Sequence, residues 1–170
     1  NIEGSQKLFT ATVNAGVRKI IYLSSRAVYG TIQGEIMDEN SPLNSPDAYG
    51  QSKYEPEKFL QELVSCIPNL SGLTIRLPAV VGRGAHDNFL ADIFLKILED
   101  RSVQLRNPEG LFNGVVLADD LANFLFKITR SLLTGYTVTN IGSMEPIPIR
   151  EVIHLFYRFT GKSEQVTYTE

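Results

Sequence analysis

The sequence predicts an α/β protein built on a parallel sheet with helices over its faces, followed by a smaller α/β cap. Three observations carry that expectation. Ile20-Ile21-Tyr22-Leu23 and the stretch LTIRLPAVVG at 73–82 are unbroken apolar runs, as strands buried on both faces require. A segment with helical spacing precedes each of them, at 5–15 and 47–65. The resulting order of helix, strand, loop, helix and strand supplies the crossover that parallel strands need.

Leu8, Phe9, Thr12 and Val13 mark the first helix, and Gly16 is placed to end it. The strand RKIIYLSS follows. Residues 26–46, rich in Gly, Asn, Ser and Pro with acidic residues between, read as one long loop of the kind that usually carries function. Asp38 and Glu39 are expected to solvate it. Asp47 suits the N-cap of the helix over 47–65, along which Tyr49, Lys53, Phe59, Leu60, Leu63 and Val64 lie. Pro56 interrupts its hydrogen bonding, which predicts a kink or a cost of roughly 3 kcal/mol.

The second half changes character. Phe89, Leu90, Ile93, Phe94, Ile97 and Leu98 predict an amphipathic helix, and strands are expected at 103–106 and 113–117. Asp119 or Asp120 suits the cap of a helix bearing Leu121, Phe124, Leu125 and Ile128. A strand over 136–141 precedes a helix that Pro148 starts and Gly161 stops. The Phe-rich stripes at 89–94 and 124–126 are expected in the core, and His154 at the surface or in packing.

Composition narrows the function classes. With 43% hydrophobic and 21% charged residues the chain is that of a soluble globular protein. A net charge of −3 without a basic block argues against nucleic acid as a partner. No apolar run approaches the roughly 18 residues of a membrane span. The single cysteine, Cys66, has no internal disulfide partner and is expected to be a small buried thiol in a reducing, cytoplasmic compartment. The two histidines have neither helical spacing nor cysteine company, so no metal is expected.

Chemistry concentrates at the end of the first strand. Tyr49 and Lys53 are four apart and share one helix face. A phenol ionises near pH 10, so only about one in a thousand is phenolate at pH 7. An ammonium about 4 Å away favours the phenolate by roughly 4 kcal/mol at an effective dielectric near 20, about three pH units' worth. Tyr49 beside Lys53 is therefore a candidate general acid/base on an alcohol or carbonyl. Ser25, at the strand mouth where ligands collect in open α/β sheets, offers a hydroxyl to the same oxygen. The alternative is a solvated lysine beside a half-buried tyrosine, since Tyr-x-x-x-Lys alone recurs by chance. In the loop GRGAHDNF at 82–89, His86 and Asn88 stand where helix-terminal N–H groups would meet a diphosphate or sugar hydroxyls.

The succession NIEGSQKL, AGVRKIIYLSSRAVYG, SPDAYGQSKYEPEKF, RLPAVVG and VVLADDLANFL resembles the extended short-chain dehydrogenase/reductase superfamily, the NAD-dependent epimerase/dehydratase group acting mainly on nucleotide sugars. The resemblance spans essentially the whole chain. It implies that residues 1–82 are the C-terminal portion of a Rossmann-like, doubly wound dinucleotide-binding domain. Residues 83–170 would be mostly a substrate-binding cap, with some segments returning to the sheet. It further implies that Tyr49 is the catalytic acid/base, that Lys53 eases its ionisation and binds the nicotinamide ribose, and that Ser25 orients substrate. Ser24 and the backbone of Leu77, Pro78 and Ala79 would approach an NAD or NADP cofactor, while Arg26, His86 and Asn88 would meet a nucleotide-sugar substrate. A homodimer through the helix of Tyr49 and the helix before the first strand is implied too, with Phe59 or Leu60 as anchors.

The chain departs from the family pattern in three ways. No Gly-x-x-Gly-x-x-Gly turn follows an N-terminal strand, and the chain opens on Asn1. The expectation is a piece of a longer protein whose phosphate-binding loop lies upstream, poorly stable and inactive in isolation. Where 4,6-dehydratases resemble Thr-Asp-Glu-Val-Tyr-Gly, this chain has Ser25-Arg26-Ala27-Val28-Tyr29-Gly30. Without that acidic pair, epimerisation or carbonyl reduction remains. Positions that help hold the nucleotide diphosphate in many epimerases are Ala79 and Asn113 here, so Arg83, Arg101 or Arg106 would have to supply that charge. Two further readings share these residues: a reductase of a non-nucleotide ketone, and a non-catalytic dinucleotide sensor, though such relatives typically lose the tyrosine or lysine.

Overall fold

The computed structural model describes residues 1–31, 37–86 and 88–169. In chain order these form helix α1 (Ile2–Asn14), strand β1 (Lys19–Ser25), a 3-10 turn (Arg26–Tyr29), helix α2 (Ala48–Cys66) and strands β2 (Ser71–Leu77) and β3 (Ala79–Val81). Helix α3 (Phe89–Leu98) and strands β4 (Val103–Arg106), β5 (Leu111–Phe112) and β6 (Val115–Leu117) follow. The remainder is helix α4 (Ala118–Arg130), strands β7 (Tyr136–Asn140) and β8 (Ile147–Pro148), helix α5 (Ile149–Thr160) and strand β9 (Val166–Thr169). They divide into two compact units: Asn1–Pro78 with Asn123–Ile141, and Ala79–Ala122 with Gly142–Glu170.

The first unit is a parallel sheet in the order β1-β2-β7. Its central strand β2 is buried along six of seven residues, which explains the continuous apolar run. On one face Phe9 and Val13 of α1 and Leu60 of α2 close over Ile20 and Leu70. Each such fully buried side chain contributes about 1.5–3 kcal/mol. Asp47 caps α2 as expected, its Oδ1 accepting from the Gly50 N–H at 2.7 Å. The expected loop 26–46 opens on the 3-10 turn, and Gly30 bridges to Asn44 near its close. Part of that loop, 32–36, lies outside the described residues.

The second unit is a cluster of two-stranded pairs, β3-β6 and β4-β9 parallel and β5-β8 antiparallel. Its core joins Leu90, Ile93 and Ile97 of α3 to Val103 and Leu105 of β4 and Ile149, Ile153 and Tyr157 of α5. Asn88 caps α3 through its side chain, and Gly161, at φ +68, ends α5.

Several expectations need correction. The single strand over 73–82 is two, because Pro78 has no N–H for the ladder and the chain leaves one sheet for another there. Helix α2 continues past Pro56 to Cys66, and the proline ring is fully buried, a packing gain set against the hydrogen bond it lacks. Leu60 is also fully buried and anchors the core, not a dimer. Cys66, at the last position of α2, is exposed. Phe89 and Phe126 stand half-exposed or more, the latter under the Arg130 guanidinium, so the stripes are only partly core. Asp119 and Asp120 lie inside the first turn of α4, where their charge favours the helix dipole, not at its cap. Strand β9 was not anticipated; Val166 and Tyr168 alternate too briefly to announce it.

Candidate active site

The two serines that end strand β1 are placed differently. Successive strand residues point to opposite faces. Ser24 points inward beneath α2, where it is 3% exposed and donates its hydroxyl to Glu57 Oε1. Its hydroxyl is engaged there, which leaves the backbone of this residue for the cofactor approach expected of it. Ser25 points the other way and starts the 3-10 turn, its Oγ accepting from the Ala27 N–H at 3.1 Å. That bond uses a lone pair and leaves the hydroxyl proton to donate elsewhere. Leu77 is the register partner of Ser25 across the β1-β2 pair, so the backbone expected at the nicotinamide lies beside this serine.

The first turn of α2 is seated directly on that 3-10 turn. A Cβ on Gly50 would stand 2.3 Å from the Ala27 carbonyl oxygen and 2.8 Å from Pro46 Cβ. Only glycine allows backbone to approach backbone this closely, and the contact sets Tyr49, its neighbour, against the turn that Ser25 begins. Gly30, at φ +63, does the same for the returning loop: its Cβ would meet the Asn44 carbonyl oxygen at 2.1 Å.

Tyr49 is 51% exposed, open to a ligand. One turn on, Lys53 folds inward: Nζ donates to the Leu23 carbonyl at 3.3 Å, with ring centroids of Tyr22 at 5.6 Å and Tyr49 at 6.0 Å. The two phenols flanking the ammonium are not equivalent. Burial, with the charge of Glu57 adding to it, pushes the Tyr22 phenol up to about 12, so Tyr22 stays neutral. Of the two rings, only that of Tyr49 stands half-exposed beside Lys53.

Beneath this surface lies a polar network that the sequence did not announce. Arg76 donates from Nη2 and Nε to Glu57 Oε2 at 2.8 and 3.2 Å, and from Nε to Oε1 at 3.3 Å. Its Nη1 donates to the Tyr29 hydroxyl at 2.8 Å, and Tyr29 donates to Asn140 Oδ1 at 3.0 Å. Burial disfavours the Arg76 cation, but the Glu57 carboxylate and the Tyr29 hydroxyl more than offset it and hold its pKa above the usual range. Glu39, expected only to solvate its loop, instead accepts from the Asn140 N–H. Two signals were available: an arginine inside the strand LTIRLP, and a glutamate four residues beyond Lys53.

The other expected residues are placed as follows. Arg26 is half-buried in the 3-10 turn, where burial lowers its pKa and the Tyr29 hydroxyl partly restores it. Asn88 Oδ1 accepts from the Ala91 N–H at 3.0 Å and its Nδ2 donates to the His86 carbonyl at 3.4 Å, so it is chiefly a helix cap. His86, Asn88 and Ala79 belong to the second unit. His154 is exposed and paired with Glu164. Among the described residues no group of three His, Cys, Asp or Glu side chains is arranged to hold a metal, and no helix is long and apolar enough to cross a membrane.

The model of the NAD dependent epimerase/dehydratase family matches residues 1–142. The N-acetyl-alpha-D-glucosaminyl-diphospho-ditrans,octacis-undecaprenol 4-epimerase of Escherichia coli O157:H7 is 36% identical over 140 residues, 82% of this chain and 42% of that protein. The dTDP-D-glucose 4,6-dehydratase of Mus musculus is 39% identical over 176 residues, covering 100% of this chain and 49% of that protein. The chain thus spans about half the length of the curated relatives it matches. Among solved structures, MoeE5 in complex with UDP-glucuronic acid and NAD has a TM-score of 0.82 at 24% identity, covering 100% of this chain and 57% of that one. That likeness is one of fold.

Proposed function

We propose, from the premise that the chain belongs to the NAD-dependent epimerase/dehydratase family, that it carries the proton-transfer site of an enzyme interconverting a carbinol and a ketone on a nucleotide-linked sugar. The observation that carries this reading is the Lys53 ammonium held inward between a neutral Tyr22 and the exposed Tyr49. In the oxidising direction Tyr49 accepts the proton of the substrate hydroxyl at its phenolic oxygen, while Lys53 stabilises the phenolate that does so. Ser25 donates its hydroxyl to the same substrate oxygen and holds it as it becomes a carbonyl. In the reducing direction Tyr49 returns the proton.

The residues fit a nicotinamide dinucleotide. Lys53 has donors beyond the one given to Leu23 and would take the ribose hydroxyls; the Leu77-Pro78-Ala79 backbone, with that of Ser24, would approach the nicotinamide. NAD or NADP, when bound, accepts and returns the hydride. Arg26, His86 and Asn88 are proposed to meet the sugar or its diphosphate. The reaction is epimerisation or ketone reduction. Although one relative is named a 4,6-dehydratase, Arg26 and Ala27 follow Ser25 where an eliminating site needs carboxylates. A homodimer through exposed faces of α1 and α2 belongs to the same proposal.

The test is Tyr49→Phe in the intact protein, assayed with nucleotide sugars. Turnover should fall by about 10²–10⁴-fold with dinucleotide binding retained. Unimpaired turnover refutes the role. Product analysis without added reductant separates the two reactions: a reductase stops after one equivalent of cofactor, and an epimerase continues.

A further inference from the structure

Lys53 and Glu57 are four apart on α2, the spacing at which an ammonium and a carboxylate on one helix face reach each other. They do not pair. Both oxygens of Glu57 are occupied from the opposite side: Oε1 by the Ser24 hydroxyl and Arg76 Nε, Oε2 by Arg76 Nε and Nη2. Lys53 instead donates to the Leu23 carbonyl and enters none of the ion pairs among the described residues.

A carboxylate only 2% exposed cannot be left without a cation. One helical turn away on the same face of α2 stands the cation the proton-transfer site needs, Lys53. We propose that Arg76 is a positioning residue of that site: by occupying both oxygens of Glu57 it prevents the carboxylate from capturing the Lys53 ammonium, which stays beside Tyr49. The proposal rests on the reading of Tyr49 and Lys53 given above. Arg76 suits the task better than a lysine would, because its planar fork engages both carboxylate oxygens at once.

The groups that face this carboxylate and ammonium are few. They are Tyr22 and Ser24 of β1, Tyr49 and Tyr54 of α2, Arg76 of β2, Tyr29 of the 3-10 turn, and Tyr136 and Asn140 of β7. Burial raises the phenols of Tyr22 and Tyr136, and the Glu57 charge raises both further. The charged side chains in the set are Glu57, Arg76 and Lys53, the first two joined in the buried ion pair.

The experiment reads the pH dependence of kcat/KM for alcohol oxidation in the intact protein with its dinucleotide and a nucleotide-sugar substrate. In Arg76→Met the acid-side limb should move to higher pH by about one unit, a tenfold loss at a fixed pH below the limb. Glu57→Gln removes the competing charge, so its limb should stay or move to lower pH. The double variant Glu57→Leu/Arg76→Met should return the limb to its original position. A brace with no electrostatic role would depress kcat at every pH and leave all limbs in place, which overturns the proposal. So does an upward shift in Glu57→Gln. Should Arg76→Met not fold, Arg76→Lys frees one carboxylate oxygen and should move the limb in the same direction; an unmoved limb there overturns the proposal too. Tyr49→Phe in the same assay separates the two ideas. Activity surviving in it sinks the site, whereas inactivity with unmoved limbs in the other variants sinks only the role of Arg76.

Discussion

Gly50→Ala tests whether the seating of α2 on the 3-10 turn sets the geometry of the site. The added Cβ would lie 2.3 Å from the Ala27 carbonyl oxygen and 2.8 Å from Pro46 Cβ, where ordinary contact begins at 3.4 Å. The Ala27 oxygen is backbone and cannot swing aside, so helix and turn must part by about 1 Å. Two energies then oppose each other. Alanine is favoured over glycine in a helix by about 1 kcal/mol, while forcing extra volume into a packed contact costs about 1–3 kcal/mol. The net loss of stability should therefore be at most about 2 kcal/mol. Activity should suffer more, because a misplacement of about 1 Å between reacting groups can cost about 10²-fold. The assay is kcat on the intact protein beside its urea midpoint. A kcat within threefold of the parent would mean that this contact does not place Tyr49 relative to Ser25, and the structural argument for the site would fail.

Two further outcomes follow from the same residues. Tyr22 holds its proton up to about pH 12 when folded, whereas an unfolded tyrosine releases it near pH 10. Between those values the unfolded state binds fewer protons, so stability falls as pH rises through the window. The limit is about 2.7 kcal/mol, and solvent screening of a half-buried phenol brings it nearer 1 kcal/mol. In Tyr22→Phe the urea midpoint should decline less steeply over that range, Tyr136 supplying part of the remainder; equal slopes would refute the assignment. Ser25→Ala removes the acceptor for the Ala27 N–H and should cost about 1 kcal/mol in thermal unfolding. It should also lower kcat by about 10²-fold, with Ser25→Thr restoring most of both; a kcat unchanged in the alanine variant would leave Ser25 a turn cap only.

What could be read from the sequence is what depends on local period. The apolar runs gave β1 and β2, and the four-residue spacing put Tyr49 and Lys53 on one face of α2. Asp47 and Gly161 were legible as caps because capping chemistry acts over three or four residues. The Glu57–Arg76 pair was not, since it joins residues 19 apart in sequence through a register that pairs Ser24 with Arg76. Cys66 and Leu60 were misjudged for a related reason: periodicity identifies which face a residue shares but not how deep that face lies.

Depth is what turns one stripe into a site. Tyr49, Lys53 and Glu57 are each four residues on from the last, and Leu60 completes the same face. Along that stripe exposure falls from 51% at Tyr49, through a half-buried Lys53, to 2% at Glu57 and 0% at Leu60. The phenol at the open end can meet a ligand, and the half-buried lysine stands beside it. The carboxylate is so deep that it must be neutralised from the sheet. Moving the stripe outward by one residue would give solvent the carboxylate and weaken the hold on Lys53; moving it inward would bury the phenol. The proposed chemistry therefore depends on how α2 seats on the sheet, which is fixed near its start by glycine against carbonyl at residue 50 and farther along by leucine in the core at residue 60.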